Sequence, residues 1–423
     1  MNRFLYFVAG AHLCCDINMG ALPALLPFFV TEYGMDYTSV AGLMFAASFF
    51  ASILQPYFGY MADKASRHWF IPLGVLLSGC SFGLIAFTRN YWTIFGLVML
   101  MGLGSAIFHP EAARFVNALS GQRRASGMSI FSLGGNGGFG FGPVLVALIV
   151  TGLGMRGLVI FAVVALLMSV TLFYKLPVLV AEIDRIKAAS GVTAAAARTA
   201  EAVGHPAEKR GSAMEGRKSA VPAAAAVSAS AAEAAPANDW HSFGRLTALI
   251  TFRSVVINII MSFLPLFCVT VLAVSNGIAG TTLSVLSICG VVATMVGGAL
   301  ADRIGETKVL LYGSILLVPT VAAILFCPDI LWVYLLMVPL SMAMNGTYSS
   351  FVVLGQTYLA KNIGFASGVT LGLSATVGGI AAPLLGWYAD HHGIHAVMVL
   401  AVILAAGTAV SAFFLPNPRK QAE

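Results

Sequence analysis

The chain consists of apolar blocks of about 20 residues joined by short polar connections, and this is the length that an α-helix needs to cross a bilayer. Its mean hydropathy is +0.89 and 59% of its 423 residues are hydrophobic, whereas soluble domains have an apolar share of roughly 45–50%. The pattern excludes an ordinary soluble domain and predicts an all-α polytopic membrane protein. The predicted spans are residues 4–30, 38–61, 69–88, 91–114, 126–150, 156–175, 245–272, 280–301, 307–326, 330–358, 364–388 and 393–415, twelve in all.

The positive charge lies in the short connections between these blocks. Residues 178–243 contain seven basic and seven acidic side chains, so the net charge of +6 arises elsewhere. Basic residues such as Arg123, Arg124 and Lys175 lie in the connections on the side of the two termini, and the positive-inside rule therefore predicts that both termini are cytoplasmic. We expect a multi-pass protein of a bacterial-type inner membrane, surrounded by lipid, with no nucleic-acid partner.

Between the two sets of six spans lies an alanine-rich segment. Residues 188–238 contain 21 alanines among 51 residues, without an apolar stripe that would pack on another element. We therefore predict a flexible cytoplasmic linker, and a regulatory or partner-binding segment is the alternative. The expected domains are an N-terminal half at 1–177, the linker at 178–243 and a C-terminal half at 244–423.

The two halves repeat one another. Three segments of the first half recur in the same order at an offset of 239 to 241 residues: Gly59–Asp63 with Gly298–Asp302, Ala125–Gly127 with Ala366–Gly368, and Pro143 with Pro383. Parallel repeats of this kind predict a substrate site near the membrane midplane between the halves, with access that alternates as the halves rock.

The connection after the second block has the pattern Gly-x-x-x-Asp-x-x-x-Arg at Gly59, Asp63 and Arg67, and Asp302 and Arg303 echo it after the eighth block. This resembles the signature gating loop of the major facilitator superfamily. Within that superfamily, the segment 108–112 (Phe-His-Pro-Glu-Ala), together with His12, Asp16 and the run 21–27 of the first block, resembles the fosmidomycin-resistance proteins. The resemblance implies two pseudo-symmetric six-helix bundles and proton-coupled efflux.

Two pairs of polar residues lie inside apolar blocks. His12 and Asp16 are four residues apart and share one face of the first helix, where we expect a proton carrier, with a structural hydrogen bond as the alternative. Glu111 and Arg114 are three apart and can pair beside His109, at a proton or substrate site or at a hydrated helix end. Because no His-Glu-x-x-His pattern or nearby third ligand accompanies them, we expect no metal ion and no cofactor.

Other polar residues occur in the predicted spans. Arg253 lies about nine residues into the seventh span, where it suits an anionic substrate, could neutralise Asp16 or Glu111, or could snorkel to the interface. Gly138, Gly142 and Pro143 resemble the fifth-helix motif common in antiporters of the superfamily. Further polar side chains either line the cavity or form hydrogen bonds between helices: Asn136, Asn258, Asn345, Tyr348 and Gln356.

Together these features predict a monomeric, proton-driven exporter of small polar or anionic molecules, drugs among them, and not an enzyme. Asp16 and Glu111 are expected to exchange protons. His12, His109, Arg114 and Arg253 are expected to bind substrate. The alternatives are a proton symporter that imports a small organic anion, a membrane-embedded enzyme using His109 and Glu111, and a non-transporting sensor.

Overall fold

The computed structural model describes residues 3–55, 57–58, 61, 67–120, 124–203 and 238–417. In these residues thirteen α-helices follow one another along the chain, and no strand is present among them. The helices are α1 (Arg3–Tyr33), α2 (Tyr37–Ile53), α3 (Phe70–Leu84), α4 (Tyr91–Ser120), α5 (Arg124–Leu153), α6 (Val159–Val203), α7 (Trp240–Thr270), α8 (Asn276–Ile304), α9 (Glu306–Ile324), α10 (Ile330–Asn345), α11 (Tyr348–Tyr358), α12 (Ile363–His392) and α13 (Ile394–Phe413). Short 3₁₀ turns extend α3 at Ile85–Phe87 and precede α6 at Met155–Leu158.

The predicted arrangement of twelve spans is confirmed. In the described part of the chain, ten helical stretches are long and apolar enough to cross a membrane, α2 is a shorter apolar helix, and α12 lies at the predicted span 364–388. The predicted span 330–358 is divided into α10 and α11 by an interruption at Gly346 and Thr347. At this interruption the backbones of α8 and the tenth span touch, because a Cβ added at Gly297 would overlap the carbonyl group of Gly346.

Some connections between spans are a single residue. Gly305 joins α8 to α9 with φ +95°, and Gly393 joins α12 to α13 with φ +83°. Glycine adopts these backbone angles without the steric cost that a Cβ imposes. The two hairpins are therefore tight, and the ends of the joined helices lie side by side.

The helices form two halves, α1–α6 and α7–α13. Across the boundary, α2 packs against α12, α5 packs against α8, and α1 contacts both α7 and α8. We call the side on which α1 begins and α13 ends the termini side, and the side on which α1 ends and α2 begins the opposite side.

The apolar cores show how the halves meet. One large cluster spans both halves and includes Phe29 of α1 and Phe263 of α7. Toward the termini side each half has a separate cluster, with Phe115 in the first and Phe351 in the second. The halves therefore share a core toward the opposite side and have independent cores toward the termini side, so the protein is closed on the opposite side.

Helix α6 ends later than the sequence predicted. The predicted span stops at residue 175 and the predicted linker begins at 178, but the helix continues to Val203. Leu179 and Ile183 are buried in the same apolar cluster as Leu5 and Ile71, so packing carries the helix past the linker's predicted start. Residues 204–237 of the predicted linker lie outside the described residues.

Candidate functional site

Three side chains from two helices meet inside the first half. Helix α1 carries His12 and Asp16 one turn apart, and α4 carries His109. His12 Nε2 lies 3.0 Å from Asp16 Oδ2, His109 Nε2 lies 3.1 Å from Asp16 Oδ1, and the two Nε2 atoms are 3.1 Å apart. His12 is 6% exposed and Asp16 is 4% exposed. The predicted shared face of His12 and Asp16 is confirmed, and His109 joins them.

Backbone carbonyl groups orient both imidazoles. His12 Nδ1 donates to the carbonyl oxygen of Phe131, at 2.7 Å, and the Phe131 ring stacks on the imidazole with centroids 3.9 Å apart. His109 Nδ1 donates to the carbonyl oxygen of Ser105, at 2.8 Å, one turn earlier on α4. Because the Nδ1 atoms carry these protons, both Nε2 atoms are directed toward Asp16.

The glycines of α5 bring that helix against α1. A Cβ at Gly138 would lie 2.7 Å from the backbone nitrogen of Ile17, and one at Gly142 would lie 2.5 Å from its carbonyl oxygen. Real Cβ atoms do not approach so closely, so these positions admit only glycine at this helix separation. Gly135 faces the cluster itself, since its Cβ would lie 2.7 Å from His12 Nε2 and 3.0 Å from Asp16 Oδ2.

Glu111 belongs to a second polar group on α4. It is fully buried, and its Oε1 lies 3.0 Å from Arg114 Nη2 and 3.1 Å from His68 Nδ1. The pairing of Glu111 with Arg114 is the one that their spacing predicted. His68, which is not among the predicted site residues, comes from the segment just before α3, so this group connects α4 to the end of the signature loop.

Arg253 is buried inside the second half and is 6% exposed. Its guanidinium donates to the carbonyl oxygen of Met344 and lies over the ring of Phe351, 4.7 Å from the ring centroid. The side chain therefore does not extend to the membrane interface. It contacts α10 and α11, on either side of the interruption between them.

A cavity of about 270 Å³ lies between the halves. Its lining is mainly apolar and comes from α1, α2, α5, α7, α8 and α12: Met19, Gly20, Leu22, Pro23, Met44, Ala47, Ser48, Phe139, Pro143, Ser254, Ile257, Asn258, Met261, Leu283, Ser287 and Gly378. Among these described residues no side chain is charged. Met19 and Gly20 follow Asp16 by about one helical turn, so the cluster and the cavity are adjacent along α1.

The predicted site residues are thus divided among several places. Asp16, His12 and His109 form the cluster, Glu111 and Arg114 form the second group, and Arg253 is enclosed in the other half. Pro143 and Asn258 line the cavity. The cavity is also lined by Ser48, Ser254 and Ser287. Nothing in the sequence around these residues distinguishes them from the many other serines of the spans.

The signature loop is only partly described. Gly59 and Asp63 lie outside the described residues. Arg67 is exposed, with its guanidinium 5.8 Å from the ring centroid of Phe70, and Asp302 and Arg303 are exposed at the end of α8. Their gating role stays a prediction.

Comparison with known proteins agrees with this architecture. The family model described as Major Facilitator Superfamily matches residues 8–383. The chain is 28% identical to the uncharacterized MFS-type transporter YfnC of Bacillus subtilis, covering 99% of this chain and 94% of that protein. It is 27% identical to the fosmidomycin resistance protein of Escherichia coli, covering 97% and 92%.

A solved structure shows the same fold. The crystal structure of a bacterial homolog to the human lysosomal transporter Spinster, in an inward-facing and occupied conformation, superimposes with a TM-score of 0.72. The match covers 97% of this chain and 96% of that one at 13% identity. Family and fold indicate a multi-pass membrane transporter rather than an enzyme. The chain belongs to the Major Facilitator Superfamily.

Proposed function

We propose that this protein is a proton-coupled secondary transporter that exports small drug-like molecules by alternating access. The observation that carries the proposal is the buried carboxylate of Asp16, which lies between two imidazoles and about one helical turn from a cavity shared by both halves. Ionisable groups inside a membrane are costly, and they mark proton relays and substrate pathways.

Asp16 and its two histidines are the proposed proton site. The side chain of His109 is 22% exposed, whereas that of Asp16 is 5% exposed, so His109 offers the route by which protons reach the carboxylate. Glu111 is the second proposed proton-exchanging residue. Its partners Arg114 and His68 connect it to the termini side, where the positive-inside rule puts the cytoplasm.

The cavity is the proposed substrate site. Its apolar lining, with Ser48, Asn258 and Ser287 as hydrogen-bonding groups, suits a small molecule with an apolar body and one or two polar groups. An anionic substrate is less favoured. The two candidate arginines are engaged elsewhere, Arg253 with Met344 and Phe351, and Arg114 with Glu111.

Drug export as the physiological direction is supported by relatives. The fosmidomycin resistance protein matches over nearly the whole chain, and the multidrug resistance protein MdtG of Yersinia enterocolitica is 30% identical over 154 residues. Gly138, Gly142 and Pro143 of α5 support the antiporter assignment because they resemble the antiporter motif. The two glycines also pack that helix against α1.

The test is transport by purified protein in liposomes with an imposed pH gradient, using fosmidomycin and the neutral drug chloramphenicol. We expect drug movement opposite to the proton flux, with chloramphenicol the better substrate. Asp16→Asn and Glu111→Gln should each abolish gradient-driven movement. Glu32→Gln is the matched control, because Glu32 is an exposed acid at the far end of the same helix as Asp16.

Three results would contradict the proposal. Transport that is unchanged when the pH gradient is collapsed would show that transport is not coupled to protons. Drug that moves in the same direction as the protons would indicate the importing symporter. Chemical turnover of the compound without net movement would indicate an enzyme. Equal expression and thermal stability of the three variants establish that a loss of transport is not a loss of folding.

A further inference from the structure

We propose that His12, Asp16 and His109 form a binding site for one divalent transition-metal ion, such as Zn²⁺ or Co²⁺. Binding of this ion requires neither a substrate nor a proton gradient and so goes beyond the proposed function. The ligand atoms are the two Nε2 atoms and one oxygen of the carboxylate. In the described part of the chain this is the group of histidine, cysteine and acidic side chains whose donor atoms all lie within 4.8 Å of one another.

The distances between the donor atoms fit a common metal ion. Bonds of about 2.0–2.1 Å in tetrahedral geometry hold donors about 3.3 Å apart, and octahedral geometry holds neighbouring donors about 2.9 Å apart. With Oδ2 as the carboxylate oxygen, the three separations in the cluster are 3.0 Å to His12 Nε2, 3.4 Å to His109 Nε2, and 3.1 Å between the two Nε2 atoms. Only small shifts of the side chains are therefore needed for all three atoms to reach one ion.

Both histidines are already oriented by hydrogen bonds of the kind that usually orient metal-binding histidines. A ligating imidazole usually donates its other ring nitrogen to a carbonyl or carboxylate group, which fixes both the tautomer and the ring orientation. His12 makes this contact with the carbonyl oxygen of Phe131, and His109 makes it with that of Ser105. These contacts come from α5 and α4, so the site rests on rigid helices.

A cation also suits the charge of the cluster. When both rings are neutral and protonated on Nδ1, the lone pairs of the two Nε2 atoms face each other at 3.1 Å, next to a carboxylate that is 4% exposed. A single divalent ion would neutralise the carboxylate and accept both lone pairs at once. Buried negative charge is stabilised by such pairing or by metal coordination.

There is space and a route for the ion. The absence of a side chain at Gly135 leaves the α5 side of the cluster open, since a Cβ there would contact His12 and Asp16. The partial exposure of His109 provides an entry path. Two imidazoles and one carboxylate select Zn²⁺, Co²⁺ or Ni²⁺ over Mg²⁺ and Ca²⁺, which prefer oxygen donors. Three protein ligands leave a further coordination position for water.

The sequence predicted no metal ion because His109 has no second ligand at helical spacing on α4. In the structure the other two ligands, Asp16 and His12, come from α1 and are 93 and 97 positions away from His109 in the chain. The site is thus a product of the tertiary contact between α1 and α4.

Binding is tested with Co²⁺, whose visible absorption bands report its coordination, on purified protein from which any histidine tag has been removed. We expect one Co²⁺ per protein molecule, displaced by Zn²⁺, which binds nitrogen and carboxylate sites more tightly. His12→Gln, His109→Gln and Asp16→Asn should each weaken binding by at least about 100-fold, since loss of a ligand costs more than loss of its supporting contacts. Gly135→Ala should weaken it as well.

His395→Gln is the matched control, because His395 lies on α13 in the other half, beside Phe267. It should bind Co²⁺ as the unaltered protein does. A protein that binds neither Co²⁺ nor Zn²⁺ at micromolar concentrations overturns the proposal and leaves a hydrogen-bonded cluster. Binding that survives in the His12 and His109 variants also overturns it. Melting curves of each variant separate lost ligands from lost folding.

An ion at this site would occupy the groups proposed to carry protons. On the proposed function, Zn²⁺ therefore inhibits transport in the liposome assay, and this consequence alone rests on that function. The two proposals fail separately. Absence of Co²⁺ binding leaves proton-driven transport untouched, and absence of proton coupling leaves the Co²⁺ spectrum and its loss in the variants unchanged.

Discussion

The contact that closes the opposite side of the protein gives the sharpest test of alternating access. Asp390, at the end of α12 in the second half, caps the start of α2 in the first half. Its carboxylate accepts hydrogen bonds from the backbone nitrogens of Tyr37 and Thr38, at 2.8 and 2.9 Å, and from the hydroxyl group of Thr38. Opening of this side must break all three bonds.

The free-energy change expected on loss of the Asp390 side chain follows from the typical energies of these hydrogen bonds. A helix cap of this type contributes about 1 kcal/mol, and a negative charge at a helix N-terminus adds roughly 0.3–1 kcal/mol. The groups are exposed, so water replaces part of what is lost when the halves separate. We therefore expect Asp390→Ala to shift the balance toward the state open on the opposite side by about 1.5 kcal/mol, or roughly tenfold.

The assay is labelling of a cysteine placed at Ser48, a residue of the cavity lining. The six native cysteines are first replaced. A membrane-impermeant thiol reagent added to the opposite side reaches this cysteine only in the open state, so its labelling rate follows the population of that state. Asp390→Ala should raise the rate about tenfold.

Asp36→Ala is the matched control. Asp36 caps the same end of α2, accepting from the backbone nitrogen of Ser39 at 2.8 Å, but it belongs to the same half. Its loss weakens α2 equally in both states and should leave the labelling rate unchanged. An unchanged rate in Asp390→Ala, or an equal increase in both variants, would refute the reasoning that this contact holds the two halves together.

Three further predictions concern close contacts. Gly386→Val should also raise labelling from the opposite side, because a Cβ at this position would lie 2.5 Å from the carbonyl oxygen of Tyr37 in the other half. Gly142→Val should lower the melting temperature and abolish transport, since its Cβ would lie 2.5 Å from the carbonyl oxygen of Ile17 and would force α5 from α1. Arg253→Lys should destabilise the detergent-solubilised protein by about 1–2 kcal/mol, because an ammonium group loses the planar stacking on Phe351, and a thermal-shift assay measures the difference.

Much of the fold could be predicted because bilayer thickness sets the length of each apolar block. The spans appear near the expected positions, and the pairs His12–Asp16 and Glu111–Arg114 follow directly from helical periodicity. The later end of α6 was missed because the packing of Leu179 is a tertiary effect. The interruption at Gly346 was missed because apolar residues resume at Phe351, so the polar run Asn345–Ser350, which includes the turn-forming pair Asn-Gly, fell inside one predicted span.

The composition of the site was less predictable, because its contacts join distant parts of the chain. His68 contacts Glu111 although the two are 43 positions apart in the chain, and Asp390 contacts Thr38 across 352 positions. Neither contact leaves a pattern in the local sequence. The charged residues were expected to face the substrate, yet the described cavity lining is uncharged. Charges inside the membrane are stabilised by pairing with one another or with backbone carbonyl groups, which draws them into the halves and away from the cavity.

The described contacts of the His12–Asp16–His109 cluster lie within the first half, whereas the cavity is lined by both halves. Movement of one half relative to the other therefore changes the cavity and leaves the cluster's own distances intact. On the proposed mechanism, coupling then has to act through access of protons to Asp16, because the site itself is not made and broken in each cycle. It follows that Gly386→Val, which acts only where the halves meet, should change transport while Co²⁺ affinity stays at its original value. A large change in that affinity would show that the cluster is rebuilt during the cycle and that access alone does not explain coupling.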